Sequence, residues 1–198
     1  MLDWGLEEKP PLAILVCHPH PLFQGTMHNR VVLHAAKTAA RAGLPTLRFN
    51  FRGVGLSESE FDDGVGERED VRAALDFLQR RFPQTALCVI GFSFGAWVGL
   101  DIGAQDSRVV ALIGLGLPTN SHDLDFLLNV RKPKLIVQGT EDSFGPKLQV
   151  ESLFQALPEP KWIHWVEGAD HFFTGRLDEM ESAVTAFLQE VRGEMVPG

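Results

Sequence analysis

The fold of this chain is indicated most clearly by one segment, Ala86-Leu-Cys-Val-Ile-Gly91-Phe-Ser93-Phe-Gly95-Ala-Trp-Val-Gly-Leu100. It begins with an apolar run typical of a buried parallel strand, passes through Gly-Phe-Ser-Phe-Gly, and continues into a stretch that favours a helix. A serine in so tight a turn has strained backbone angles, and the flanking glycines remove side chains that would clash where strand and helix approach. The segment therefore predicts a nucleophilic Ser93 at the carboxyl end of a strand. A serine that merely caps the helix is the simpler alternative.

Short apolar runs alternate with longer amphipathic ones along the whole chain, which predicts a parallel sheet covered by helices on both faces. The predicted strands are Leu12 to Cys17, Pro45 to Phe51, Ala86 to Gly91, Val109 to Leu115, Lys134 to Gln138 and Trp162 to Val166. The predicted helices are about Met27 to Ala42, Glu67 to Arg81, Phe94 to Ala104, Pro146 to Ala156 and Leu177 to Val191, with a shorter one at Asp123 to Asn129. We expect a single three-layer α/β domain over residues 1–198, with a mostly parallel sheet of about six strands and ligands at the carboxyl ends of those strands.

Composition limits the functions open to this chain. It has 198 residues, 44% of them hydrophobic, and a formal net charge of -8. An acidic protein repels phosphate backbones, so nucleic acid is not expected as a partner. Cys17 and Cys88 both lie in apolar runs, which predicts buried thiols in a reducing compartment. Because no apolar segment reaches the length of a membrane span, we expect a cytoplasmic protein that does not contact membranes.

Acidic residues and a histidine, the residue types that can activate a serine, follow later in the sequence. The apolar run Lys134 to Gln138 opens into a loop that carries Glu141 and Asp142, at the same edge of the sheet as Ser93. A loop after the last predicted strand carries His171. An imidazole can take the proton of a serine hydroxyl, and a carboxylate can fix the tautomer of that imidazole. We predict Asp142 as the acid, with Glu141 as its competitor, and His171 as the base.

A tetrahedral intermediate also requires N–H groups that stabilise its oxyanion. The residue after the nucleophile, Phe94, would supply one, and the loop from Cys17 to Gly25 would supply the other. Prolines in that loop have no N–H, which leaves the backbone N–H of His20 as the natural donor. For the rings of His18 and His20, three alternatives remain: a metal pair, another base, or packing within the loop. No matching cluster of ligands accompanies them, so no metal is expected.

Taken together, these motifs resemble the α/β-hydrolase superfamily over nearly the whole chain, from about Leu12 to Val191. The closer resemblance is to small cap-less serine hydrolases related to the dienelactone hydrolase branch. The segments that carry it are His18-Pro-His-Pro21, Gly25-Thr-Met-His-Asn29, Leu47-Arg-Phe-Asn50-Phe-Arg52-Gly-Val-Gly55, Gly91-Phe-Ser93-Phe-Gly95 and Asp170-His171-Phe-Phe173. The resemblance implies a triad of Ser93, His171 and Asp142 and ester-type hydrolysis without a cofactor. Dienelactone hydrolases use a cysteine where this sequence has Ser93.

The sequence departs from larger members of the superfamily in two places. Only eleven residues precede the strand at Leu12, so two of their strands are missing and the strand Pro45 to Phe51 becomes a candidate edge. A homodimer, or the segment Leu2 to Leu6, would cover such an edge. The segment Gly116 to Pro133, where lids are commonly inserted, is too short for a cap domain.

Without a cap, the site should be open to modest acyl substrates of varied shape. Several apolar side chains flank the predicted chemistry and would line a substrate pocket: Phe23, Met27, Phe144 and Phe172, with Phe94 and Phe173 nearby. Ordinary core packing is the alternative for these residues. The leading hypothesis is hydrolysis of a small carboxylic ester or thioester through an acyl-enzyme. The alternatives are an acyltransferase or small-peptide hydrolase with the same triad, and a binding protein on a hydrolase scaffold.

Overall fold

The computed structural model describes residues 1–3 and 10–195, and its centre is one twisted sheet. The strands are β1 (Leu2–Asp3), β2 (Leu12–Cys17), β3 (Thr46–Arg48), β4 (Ala86–Phe92), β5 (Val109–Leu115), β6 (Lys134–Gly139) and β7 (Lys161–Val166). They lie in the order β1-β3-β2-β4-β5-β6-β7, and all neighbours are parallel except β1 and β3. The predicted parallel sheet of about six strands is therefore confirmed, with β1 as a short antiparallel addition.

Helices cover both faces of the sheet. They are α1 (Arg30–Arg41), α2 (Val65–Arg81), α3 (Phe94–Gln105), α4 (Lys147–Ala156) and α5 (Leu177–Met195). Helices α1 and α5 share one apolar core, and α2, α3 and α4 share the other. Alternate residues of β2 enter the two cores: Leu12, Ile14 and Val16 face α1 and α5, whereas Ala13, Leu15 and Cys17 face α2 and α3. This strand is buried on both faces, which explains why its sequence is an unbroken apolar run.

The predicted edge at β3 is shorter than expected and is covered by the chain itself. Leu2 pairs with Leu47, and Asp3 pairs with Thr46, in antiparallel register. The remainder of the predicted covering segment, residues 4–6, lies outside the described residues. The connection from β5 to β6 consists of loops and a 3₁₀ turn at Asp125–Asn129. It leaves no room for a cap domain, so the prediction of a cap-less fold is confirmed.

Both cysteines lie in the central strands and are completely buried. Desolvation raises the pKa of the Cys17 and Cys88 thiols well above the ordinary range, which keeps them protonated and unreactive. In the part of the chain that the structure describes, no helix has the length and apolar character needed to cross a membrane.

Candidate active site

Ser93 occupies the sharp turn between β4 and α3. Its φ of 55° and ψ of -123° form a backbone conformation that L-residues rarely adopt. A Cβ at Gly91 would lie 2.4 Å from Ala96 Cα, and a Cβ at Gly95 would lie 2.4 Å from the carbonyl oxygen of His18. The spacing of the two glycines thus has the steric cause predicted from the sequence. Ser93 holds the N-cap position of α3, yet its side chain makes no capping hydrogen bond and is free for other contacts.

The structure brings Ser93, His171 and Asp142 together in a continuous hydrogen-bonded chain. Ser93 Oγ lies 2.9 Å from His171 Nε2, and His171 Nδ1 lies 2.8 Å from Asp142 Oδ2. All three residues are buried, with exposed fractions of 8%, 5% and 3% respectively. Because a carboxylate only accepts hydrogen bonds, Nδ1 carries the proton and Nε2 accepts from the serine hydroxyl. The geometry allows the imidazole to take the serine proton while the carboxylate stabilises the positive charge that results.

Asp142 rather than its neighbour Glu141 reaches the histidine. The Asp142 carboxylate accepts four hydrogen bonds: from the backbone N–H groups of Phe144 (2.8 Å) and Gly145 (3.2 Å) at Oδ1, and from His171 and the Gln138 amide (2.8 Å) at Oδ2. Glu141 is exposed, and its backbone N–H donates to a carbonyl in the loop that carries His171. The two adjacent acidic residues therefore point to different surroundings, and only Asp142 has its acceptor sites filled.

Gln138 is a site residue that the sequence did not identify. It is completely buried near the end of β6. Its Nε2 donates to Asp142 Oδ2 and to the Gly145 carbonyl oxygen (3.0 Å), and its Oε1 accepts from the backbone N–H of Leu117 (2.7 Å). A polar residue directly after the apolar run Leu135 to Val137 of a buried strand was the signal that could have drawn attention to it.

The two predicted oxyanion donors are the backbone N–H groups of His20, in the loop after β2, and of Phe94, at the start of α3. Phe94 is the first residue of α3, so its N–H has no acceptor within the helix. The ring of His20 packs 5.0 Å from the ring of Phe94, and the His20 carbonyl oxygen accepts from the N–H groups of Phe23 and Gly25. Within the described residues, neither the N–H of His20 nor that of Phe94 donates a hydrogen bond. Both remain available to a ligand, as an oxyanion site requires.

His18 is a packing residue of the same loop. It is completely buried, its Nδ1–H donates to the Pro19 carbonyl oxygen (2.6 Å), and its Nε2 accepts from the backbone N–H of Phe51 (3.0 Å). Both ring nitrogens are thus committed, which excludes His18 as a ligand or base in this arrangement. Burial lowers the pKa of His18 from 6.5 to about 4, so the ring is neutral at physiological pH. In residues 1–3 and 10–195, no group of three or more His, Cys, Asp or Glu side chains could hold a metal ion.

The neutral, buried His18 predicts a specific loss of stability in acid. Between pH 6.5 and about pH 4 the unfolded chain binds a proton at this position and the folded chain does not, so the free energy of unfolding falls as the pH falls. The full effect is about 3 kcal/mol, from about 1.4 kcal/mol per pKa unit. Urea unfolding over this range should show a shallower pH dependence for His18→Gln than for the parent. His28→Gln, which changes an exposed histidine, is the control, and an unchanged slope in His18→Gln would contradict the assignment.

The predicted pocket residues separate into two groups. The half-exposed rings of Phe144 and Phe172 pack against the His171 ring at 4.5 and 5.3 Å, and the exposed Phe23 ring packs 4.7 Å from that of His20. Met27 instead lines a cavity of about 550 Å³ together with Met1, and this cavity is lined by none of the triad residues. Two further aromatic residues weighed for the pocket, Phe94 and Phe173, have buried side chains in the two cores.

Comparison with known proteins agrees with this architecture. The alpha/beta hydrolase domain family matches residues 24–195. An uncharacterized protein of Rickettsia prowazekii is 37% identical over 187 residues, which cover 90% of this chain and 78% of that protein.

Solved structures that are similar to this chain include two serine hydrolase relatives. An alpha-beta serine hydrolase homologue from Coxiella burnetii is 37% identical with a TM-score of 0.89, covering 95% of this chain and 90% of that one. A serine hydrolase without a lid from Xanthomonas campestris is 30% identical with a TM-score of 0.87, covering 96% of this chain and 87% of that one. The chain therefore belongs to the alpha/beta hydrolase domain family and is a cap-less member of the α/β-hydrolase superfamily. This membership supports a hydrolase activity.

Proposed function

We propose that this protein is a serine hydrolase that cleaves small carboxylic esters or thioesters through an acyl-enzyme. The observation that carries the proposal is the position of His171, which bridges a serine on a strained turn and a carboxylate whose acceptor sites are filled. Ser93 is the nucleophile, His171 the general base and acid, and Asp142 the residue that orients the imidazole. The proposal requires no metal and no cofactor, because the chain's own side chains and water supply every proton transfer.

The proposed reaction has two halves. Ser93 Oγ attacks the acyl carbonyl carbon while its proton passes to His171 Nε2, and the N–H groups of Phe94 and His20 stabilise the oxyanion. The tetrahedral intermediate collapses, the bond to the alcohol or thiol breaks, and His171 protonates that leaving group. Water then attacks the acyl carbonyl carbon and gives a proton to His171. The bond from that carbon to Ser93 Oγ breaks, His171 returns the proton to Oγ, and the carboxylic acid is released.

The surroundings of the triad support a small apolar acyl substrate. The side chains of Phe144 and Phe172 are about half exposed and lie beside His171. Phe23 is more exposed and lies beside His20, in the loop that follows β2. Exposed aromatic side chains next to a few convergent polar groups are typical of ligand sites. With no cap over it, such a site suits substrates of varied shape, of which only the acyl carbonyl must be held closely.

A fluorophosphonate probe tests the proposal without assuming a substrate. Attack of Ser93 Oγ on phosphorus expels fluoride and leaves a stable phosphonylated serine, which mass spectrometry locates. We expect one adduct at Ser93, because only an activated serine reacts at a useful rate. His171→Ala should react far more slowly than the parent.

Two serine variants serve as controls for the labelling. Ser93→Ala should carry no adduct, and Ser182→Ala, which removes an exposed hydroxyl on α5, should label like the parent. Labelling that persists in Ser93→Ala, or a folded parent that does not react, would overturn the proposal. The second result would favour a binding protein on the same scaffold.

A further inference from the structure

We propose that Gln138 is a positioning residue for the acid of the triad, a role that rests on the proposed hydrolase function. Its amide is the only side-chain donor other than His171 that contacts the Asp142 carboxylate among the described residues. Both donors meet the same oxygen, Oδ2, each at 2.8 Å. A shift of the carboxylate would therefore alter its bond to the histidine and its bond to Gln138 together.

The orientation of the Gln138 amide follows from its partners. The backbone N–H of Leu117 can only donate, so the atom that faces it must be the amide oxygen. The Asp142 carboxylate and the Gly145 carbonyl can only accept, so the atom that faces them must be the amide nitrogen. Both amide protons and the oxygen are used, and the residue is completely buried. If the amide were flipped, its oxygen would face the two acceptors Asp142 and Gly145, and its NH₂ group would face the Leu117 N–H.

The same contacts join three parts of the site. Gln138 belongs to β6, Leu117 to the loop that follows β5, and Asp142 and Gly145 to the loop that follows β6. A Cβ at Gly145 would lie 2.0 Å from the Leu117 carbonyl oxygen and 2.5 Å from Gln138 Nε2, so the loop closes tightly over the amide. The glutamine thus ties the acid loop to the sheet at the point where Asp142 must face His171.

Two substitutions separate positioning from simple filling of space. Gln138→Met keeps the length and the apolar stem but removes the donor to Asp142 and Gly145 and the acceptor for the Leu117 N–H. We expect kcat to fall about 10- to 100-fold with KM within about twofold, because a misplaced catalytic group reduces turnover more than binding. Gln138→Glu keeps the shape and the acceptor for Leu117 and replaces the donor by an oxygen, which must be protonated to donate to Asp142.

The pH dependence of Gln138→Glu is the decisive readout. At high pH two carboxylates would face each other, and at low pH the protonated glutamic acid restores the donor. The kcat of Gln138→Glu relative to the parent should therefore rise as the pH is lowered from about 8 to about 5.5. Gln149→Met is the matched control, because the exposed Gln149 also links the β5 loop to a helix, through Thr119 and Asn120, without touching Asp142.

A second readout does not depend on turnover. The Nδ1–H proton of His171 should give a downfield NMR resonance in the parent and in Gln149→Met, and this resonance should shift or broaden in Gln138→Met. The proposal is overturned by a folded Gln138→Met with the parent's kcat and resonance, or by a relative activity of Gln138→Glu that does not change with pH. If Ser93→Ala kept the turnover of the parent, the proposed hydrolase mechanism would be wrong. The His171 resonance would then still test, independently of turnover, whether Gln138 positions Asp142.

Discussion

Replacing Ser93 with alanine should lower kcat for a small ester about 10⁵- to 10⁶-fold. Only this hydroxyl lies within hydrogen-bonding distance of His171 Nε2 in the described structure, so its loss removes the covalent route and leaves at most slow attack by water in the oxyanion site. The fold should survive, because the backbone strain at this position is the same for alanine as for serine. Steady-state hydrolysis of an activated ester, with thermal unfolding measured in parallel, checks both statements.

The control for this experiment removes a serine hydroxyl outside the triad. Ser121 Oγ lies 2.8 Å from His122 Nδ1 in the loop after β5. Ser121→Ala should keep kcat within a few-fold of the parent. If Ser93→Ala retained a tenth of the parent's activity, or if Ser121→Ala lost as much as Ser93→Ala, the assignment of the nucleophile would be wrong.

Asp142→Asn should lower kcat about 10⁴-fold, as expected when the imidazole is held in the wrong tautomer. Four donors surround the carboxylate, and an asparagine has only one oxygen to offer them. If its NH₂ group faces His171, the imidazole must accept at Nδ1 and carry its proton on Nε2, where it cannot take the serine proton. If the NH₂ group faces Phe144 and Gly145 instead, it meets two backbone N–H groups. Hydrolysis rates and labelling by the fluorophosphonate probe should fall together.

Glu141→Gln is the matched control for the acid. It removes a carboxylate one residue away from Asp142 that is exposed and has no contact with His171 in the described structure. Its kcat should stay within about twofold of the parent. A larger loss in Glu141→Gln than in Asp142→Asn would reverse the choice between the two acids.

The sequence predicted the sheet well because buried parallel strands carry their own signal. Strands β2 and β5 begin and end where their apolar runs do, and β4 and β6 extend one residue further. The strand predicted at Pro45 to Phe51 ends at Arg48 instead. The Phe51 N–H donates to the ring of His18 rather than to a neighbouring strand, a contact that hydrophobic patterning cannot express. Strand β1 is too short to show any periodicity.

Helix α1 shows a similar limit at its beginning. The sequence placed its start at Met27, and the helix begins at Arg30, where the Asn29 side chain accepts from the backbone N–H of Val31. Asparagine is a strong N-cap residue, so this boundary could have been read from the sequence. The bonds from Leu117 to Gln138 and from Phe51 to His18 could not, because each joins segments far apart in the chain. A polar residue in an apolar setting shows that a partner exists, but the fold decides which one.

The glycines beside Ser93 and the exposed aromatic side chains around the site differ in how readily they can be replaced during evolution. No side chain fits at Gly91 or Gly95, so the frame that holds the serine tolerates almost no variation. The side chains of Phe23, Phe144 and Phe172 are about half exposed or more, so each buries less apolar surface than a core phenylalanine. Replacing one of them should therefore lower the free energy of unfolding by less. Substitutions at these three exposed positions can therefore change which substrates the proposed hydrolase accepts, while the buried triad stays in place. One scaffold can in this way serve a range of substrates through a few surface substitutions.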